Sequence, residues 1–236
     1  VNSKSLVYSS KIDIDKELTK VNPVKALVSG KITKDDIGKT VYLSNSVTAC
    51  QEWRIADVNH DNTNGTVDLV PKYLLYRLFL NKDDSDSNRK YNLSSIRTFL
   101  NGSLYDGFAD EIKSDMATQS FQFSTNSASL INDKIKCPSI TEVGCCSSDV
   151  PLDYFGYPDY YHDEIYPIFG ESQQTKNALA IYNYENGQVP RPYPIRNLFT
   201  KYGGCIGCIS SIGRYGYSGL NNYFDIIGII RFGKSN

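Results

Sequence analysis

Apolar and polar positions along this chain alternate with period two in several short runs, and follow helical spacing mainly in the middle. Thr40-Val41-Tyr42-Leu43 reads as a strand, and Trp53-Arg54-Ile55-Ala56-Asp57-Val58 as a second. Thr66-Val67-Asp68-Leu69-Val70 reads as a third, stopped by Pro71. The polar stretch from Asn59 to Gly65 predicts a hairpin loop between the second and third. Helical spacing comes next: Ser94 or Ser95 can cap Ile96-Arg97-Thr98-Phe99-Leu100-Asn101, with Gly102 placed to end the helix. Ile96, Phe99 and Leu100 then share one apolar stripe. A second short helix is expected from Phe108 to Met116, and Ser139-Ile140-Thr141-Glu142 has the spacing of a capping box.

Later the pattern changes. Residues 150–170 are rich in Pro and aromatics and predict a long structured loop. Short β-like runs then alternate with glycines: Leu179 to Tyr184, Cys205 to Ile212, and Ile226 to Phe232. At the other end, Ile12 and Ile14 alternate with Asp13 and Asp15, suggesting an extended arm or an N-terminal strand. Strands early, helices in the middle, and strands with long loops late predict an α+β domain. The expected division is an arm or linker over 1–27 and one domain over 28–236, with the globular pattern starting near Ile37.

Composition adds bounds. Of 236 residues, 40% are hydrophobic and 22% charged, so a packed core is expected rather than disorder. The net charge of −1 gives no overall attraction to nucleic acid or an anionic membrane. The longest apolar run, Ile226-Ile227-Gly228-Ile229-Ile230, suits a buried strand and falls far short of the roughly 20 residues that span a bilayer. Val1 is not an initiator Met and no signal peptide is apparent, so a trimmed or processed product is expected. Tyr is abundant, at 18 residues, alongside many Asn, Ser and Asp. That mixture suits adaptable binding surfaces; codon usage in an AT-rich genome accounts for it as well. The six cysteines permit 15 disulfide pairings, but a chain this long needs no staples, and buried thiols are the preferred reading.

Four constellations carry candidate chemistry. Asp57, Asn59 and Asp61 alternate, with Asp68 eleven residues after Asp57, and offer oxygen ligands to calcium. Asn62 and Asp68 fill the positions an EF-hand gives to Gly and Glu, so a solvated hairpin loop is preferred and no cofactor is expected. Cys205-Ile206-Gly207-Cys208 could hold zinc or act as a redox pair, but no second half-site has suitable spacing. The loop from Tyr154 to Tyr166, with Asp159, His162, Asp163 and Glu164, combines acids and aromatics without fixing any spacing between them. Tyr215, Tyr217, Asn221, Asn222, Tyr223 and Asp225 lie in a Gly-punctuated stretch that predicts an exposed ligand-facing loop or a self-packed one. Arg97 and Arg196 are expected to pair with internal carboxylates or carbonyls. No residue is assigned a catalytic role: the histidines are His60 and His162, and no nucleophile elbow accompanies them.

Several segments together resemble a bacterial and phage domain family. They are Ile37-Gly38-Lys39-Thr40-Val41, Trp53 to Asp61, Ser85-Asp86-Ser87-Asn88-Arg89-Lys90-Tyr91, Ser95 to Asn101, and Asp133-Lys134-Ile135 leading into Ser139 to Gly144. The counterparts of that family's W-x-L-R-S/T-P, V-x-x-x-G and G-V-R-P-A motifs are Tyr193-Pro194-Ile195-Arg196-Asn197, Ile209 to Gly213, and Gly228-Ile229-Ile230-Arg231-Phe232. Two prolines and part of the aromatic stretch are missing, so the C-terminal face departs from the family pattern. The resemblance covers about 28–234. It implies a C-type-lectin-like fold: a small twisted antiparallel sheet, two or so helices and long irregular loops. It also implies display on a virion or bacterial surface, with a non-enzymatic module contacting a glycan or protein of a host or neighbouring cell. The alternatives are a decoration or assembly domain docking on other virion or surface subunits through its N-terminal arm, and an unrecognised hydrolase or cysteine redox enzyme. Fold does not decide among these.

Overall fold

A computed structural model of the chain describes residues 23–79, 91–122, 130–144, 164–169, 192–199, 205–210, 215–219 and 223–233. The first three predicted strands form as β1 (Thr40–Tyr42), β2 (Glu52–Val58) and β3 (Thr66–Pro71). With β7 (Ile135–Lys136) and β12 (Ile229–Gly233) they make a five-stranded sheet in the order β1-β2-β3-β12-β7, every neighbouring pair antiparallel. The architecture is mixed, with mostly antiparallel strands and a few short helices.

Both faces of this sheet are covered, and the alternation along each strand says by what. Val67 and Leu69 on β3, and Ile230 and Phe232 on β12, enter the larger core with Trp53, Ile55 and Val58. Val70, Ile229 and Ala56 turn to the other face, against Val143, Tyr166 and Ile195. The switch on β2 from Ile55 to Val58 breaks strict alternation because the β2–β3 register shifts between Ile55 and Asp57, leaving Ala56 as the extra residue. Such a bulge re-aims the side chains beyond it. Here it sets Asp57 directly opposite Asp68.

The long apolar run near the C terminus is two strands rather than one. β11 (Tyr223–Ile226) pairs with β4 (Tyr76–Phe79) in a separate ribbon, and the chain enters the main sheet only at Ile229. Gly228 lies at the crossing. A Cβ there would sit 2.7 Å from Ile135 Cγ2 and 3.0 Å from Leu100 Cδ2, so even a methyl would force those side chains to shift.

Helix α2 (Ser95–Phe99) is capped by Ser94, whose side chain accepts from the Arg97 amide. Gly102 does not end it. A wide π turn over Leu100–Leu104 carries the helix onward. Within that turn Asn101 donates to the Ile135 carbonyl (2.9 Å) and accepts from the amides of Lys134 (2.8 Å) and Ile135 (3.0 Å). The helix is thereby held to the edge of β7. The expected helix from Phe108 to Met116 shortens to α3 (Asp110–Lys113), because Phe108 bridges to Asn45 and Met116 to Phe232.

The expected boundary after residue 27 moves upstream. Pro23–Leu27 is a helix, α1, that packs beside β12. Its Val24, Ala26 and Leu27 are buried in the larger core, so the packed domain includes the end of the segment expected as an arm. Residues 1–22 of the arm expected over 1–27 lie outside the described residues.

The remaining strands are β5 (Gln119–Gln122) with β6 (Leu130–Asp133), and a three-stranded sheet of β8 (Tyr193–Phe199), β9 (Cys205–Ile209) and β10 (Tyr215–Gly219). The expected run from Cys205 to Ile212 is thus β9, ending at Ile209. The expected strand from Leu179 to Tyr184 lies outside the described residues.

Candidate functional site

The register of the main sheet lays three charged side chains in a row across three strands. Asp57 on β2 faces Asp68 on β3, and Asp68 faces Arg231 on β12. Two carboxylates directly opposite one another repel unless each has its own partner. Arg231 grips Asp68 with two parallel bonds, Nε to Oδ1 at 2.6 Å and Nη2 to Oδ2 at 2.7 Å. Asp57 instead faces His60 Nδ1 at 2.8 Å and accepts the Val58 amide at 2.7 Å. All four residues are buried.

Tyr166 closes this row from above. Its hydroxyl donates to Asp68 Oδ2 at 2.8 Å, and its ring stacks on His60 with centroids 3.7 Å apart. Burial, reinforced by the negative charges of Asp68 and Glu142, lifts the phenol well above its ordinary range, so it stays a donor. Burial works against the Arg231 guanidinium, but Asp68 more than offsets it and the cation is retained.

A second buried group adjoins the first through Tyr166. Glu142 binds Lys136 at 2.6 Å and is also paired with Arg196. The Lys136 ammonium lies 5.3 Å from the Tyr166 ring centroid. The same carboxylate completes the predicted capping box: it accepts the Ser139 amide at 2.8 Å, while Ser139 Oγ accepts the Glu142 amide at 3.2 Å. The box encloses one turn, ending at Gly144, rather than starting a helix. Burial alone would raise the carboxyl; Arg196 and Lys136 outweigh it and hold the group well below the usual carboxylate range. Arg196 also donates to the Cys137 carbonyl at 3.0 Å, and Arg97 binds Asp133 through Nε (2.9 Å) and Nη2 (2.8 Å). Both arginines have the internal partners expected of them.

The calcium set is not brought together. Asp57 and Asp68 are committed as described, and Asn59 Oδ1 accepts the Gly65 amide at 2.8 Å. The hairpin loop is largely solvated as expected, with Asn59, Asp61, Asn62, Asn64 and Gly65 exposed, but His60 within it is buried. The loop folds back through left-handed backbone at Asn59, Asp61 and Asn62. It thereby groups a ring nitrogen of His60 with carboxylate oxygens of Asp61 and Glu164, all within 4.8 Å of one another, and sets Nε2 3.4 Å from Asp61 Oδ1. Glu164 is reached from far along the chain, a juxtaposition that no spacing in the sequence announces.

The predicted Tyr/Asn loop also changes character. Tyr215 and Tyr217 lie on β10 and Tyr223 and Asp225 on β11, so two strands stand where one loop was expected. Asn221 and Asn222 lie outside the described residues, as do Asp159, His162 and Asp163. Tyr223 is 62% exposed, the most exposed large hydrophobic among the described residues. Arg77 on β4 sits beside it, with its guanidinium carbon 5.6 Å from the ring centroid, and directly faces Asp225. Arg77 is missed by motif reasoning; the strand-like run Tyr76-Arg77-Leu78-Phe79 was its available signal. Phe224 and Ile226 point inward and anchor the ribbon.

Cys50, Cys137 and Cys208 are buried thiols, not disulfides. Burial pushes Cys50 up to about 11 and Cys137 higher still, away from thiolate chemistry at neutral pH. Cys145 and Cys146, and the side chain of Cys205, lie outside the described set.

The site is therefore that of an α+β domain with an internal polar layer and an exposed aromatic ribbon. The chain belongs to the domain family of unknown function DUF6273, whose model matches residues 64–181. Asp68, Arg77, Lys136, Glu142, Glu164 and Tyr166 fall within the matched region, while His60, Asp61, Tyr223 and Arg231 fall outside it. No curated protein and no solved structure matches the chain.

Proposed function

We propose that this chain is a non-enzymatic, C-type-lectin-like binding module, displayed on a phage particle or bacterial surface, that contacts a glycan or protein. The observation that carries the reading is the face of the β4–β11 ribbon that exposes Arg77 and Tyr223, with Asp225 half-buried opposite Arg77. Tyr and Arg are the residue types that dominate binding energy at recognition surfaces. A Tyr ring offers an apolar platform with a polar tip, and the adjoining Arg and Asp add directional hydrogen bonds. The ribbon presents these groups on a packed base, which lowers the ordering cost of binding. The resemblance to a bacterial and phage domain family supports the surface setting. Among the described residues no helix is long and apolar enough to cross a membrane.

The test is binding of isolated surface polysaccharides and surface proteins to the purified chain and to its Tyr223→Ala and Arg77→Ala variants. Each variant is expected to lose about 2 kcal/mol of binding, the scale of a recognition hot spot. Both should retain the wild-type melting transition. Retained affinity in both folded variants would refute this site.

A further inference from the structure

From the turn between β2 and β3 we infer a binding site for a first-row divalent cation of the zinc type, ligated by His60 Nε2, Asp61 and Glu164. The imidazole supplies the decisive observation. His60 is 1% exposed, yet Nε2 has no hydrogen-bond partner while Nδ1 is engaged by Asp57 at 2.8 Å. In the neutral imidazole whose Nδ1–H is held by a carboxylate, the Nε2 lone pair is left to a ligand, the arrangement that orients histidines toward metals. That nitrogen faces Asp61 Oδ1 at 3.4 Å. This is too long for a charge-assisted hydrogen bond. It matches the edge of a tetrahedron with bonds of 2.0–2.1 Å, roughly 3.4 Å.

Glu164 supplies the third ligand and is already positioned for it. Its two oxygens accept the Asp61 amide at 3.1 Å and Asn62 Nδ2 at 3.2 Å, which leaves each a further lone pair. Asp61 Oδ2 leans on Arg231 Nη2 at 3.3 Å, which turns Oδ1 toward His60. One imidazole with two carboxylates favours zinc or cobalt over calcium, which prefers six or more oxygens. Asp61 and Glu164 are exposed, so a fourth position opens to solvent. The site is independent of the binding face proposed above.

The experiment uses the full chain with His162→Gln, leaving His60 as its one imidazole. After treatment with a chelator, Zn2+ and Co2+ are titrated by calorimetry and visible absorption, with the ring nitrogens of His60 followed by NMR. One equivalent of each ion should bind, shift the His60 Nε2 resonance and raise the melting temperature. Glu164→Gln and Asp61→Asn, both at exposed positions, should each weaken binding at least about tenfold, no less than the loss of an outer partner of a metal ligand. The inference is overturned if neither ion binds stoichiometrically, if the His60 resonance stays in place, or if both variants bind as tightly as their parent.

Discussion

Single residues in this protein carry more than one job, and Glu142 shows the consequence. It caps a turn and neutralises two buried cations at once. Replacing it by Gln leaves Lys136 and Arg196 short of countercharge in a buried setting. The expected loss is about 3–5 kcal/mol of stability, read from urea unfolding at neutral pH. The carboxyl's folded value lies below its unfolded value of about 4.3, so its contribution is complete above that pH and disappears as pH falls beneath it. Wild type should therefore lose stability steeply below that pH, and Glu142→Gln less steeply. Gly228 is the second residue-scale test. Gly228→Ala forces a methyl into Ile135 and Leu100, for an expected destabilisation of about 1–3 kcal/mol in the melting transition.

Elements form where local signals and tertiary contacts agree. β1, β2, β3 and the Ser94 cap were legible because alternation and capping chemistry act over a few residues. Gly102 misled because its stop signal is weaker than the three bonds that the Asn101 side chain makes to the backbone of Lys134 and Ile135. The C-terminal apolar run misled because burial on both faces erases the period that would separate two strands. The Ser139 capping box was legible as chemistry but not as a single turn, since its length is set by Tyr166, whose amide bonds the Glu142 carbonyl at 3.0 Å. Ser139→Ala should cost about 1 kcal/mol by differential scanning calorimetry, because Ser139 is fully buried and its hydroxyl caps that turn.

At the scale of the whole molecule, the candidate site was only partly written in the sequence. Tyr223 and Asp225 were singled out by composition and spacing. Their neighbour Arg77 arrives by strand pairing, from a strand in the first half of the chain. His60 and Glu164 meet through a left-handed turn and a segment returning from about 100 residues away, which no local pattern encodes. The exposed ribbon and the internal polar layer are separable in mutation: the first should tolerate alanine and the second should not. The most direct measurement is binding of the fluorescently labelled chain to a panel of bacterial cells, with the Tyr223→Ala/Asp225→Ala variant alongside. The account predicts selective binding by wild type and its loss in a variant that melts normally. Absence of binding by the folded wild type to every surface, or equal binding by the variant, would contradict it; the first result would favour an assembly role within a larger particle.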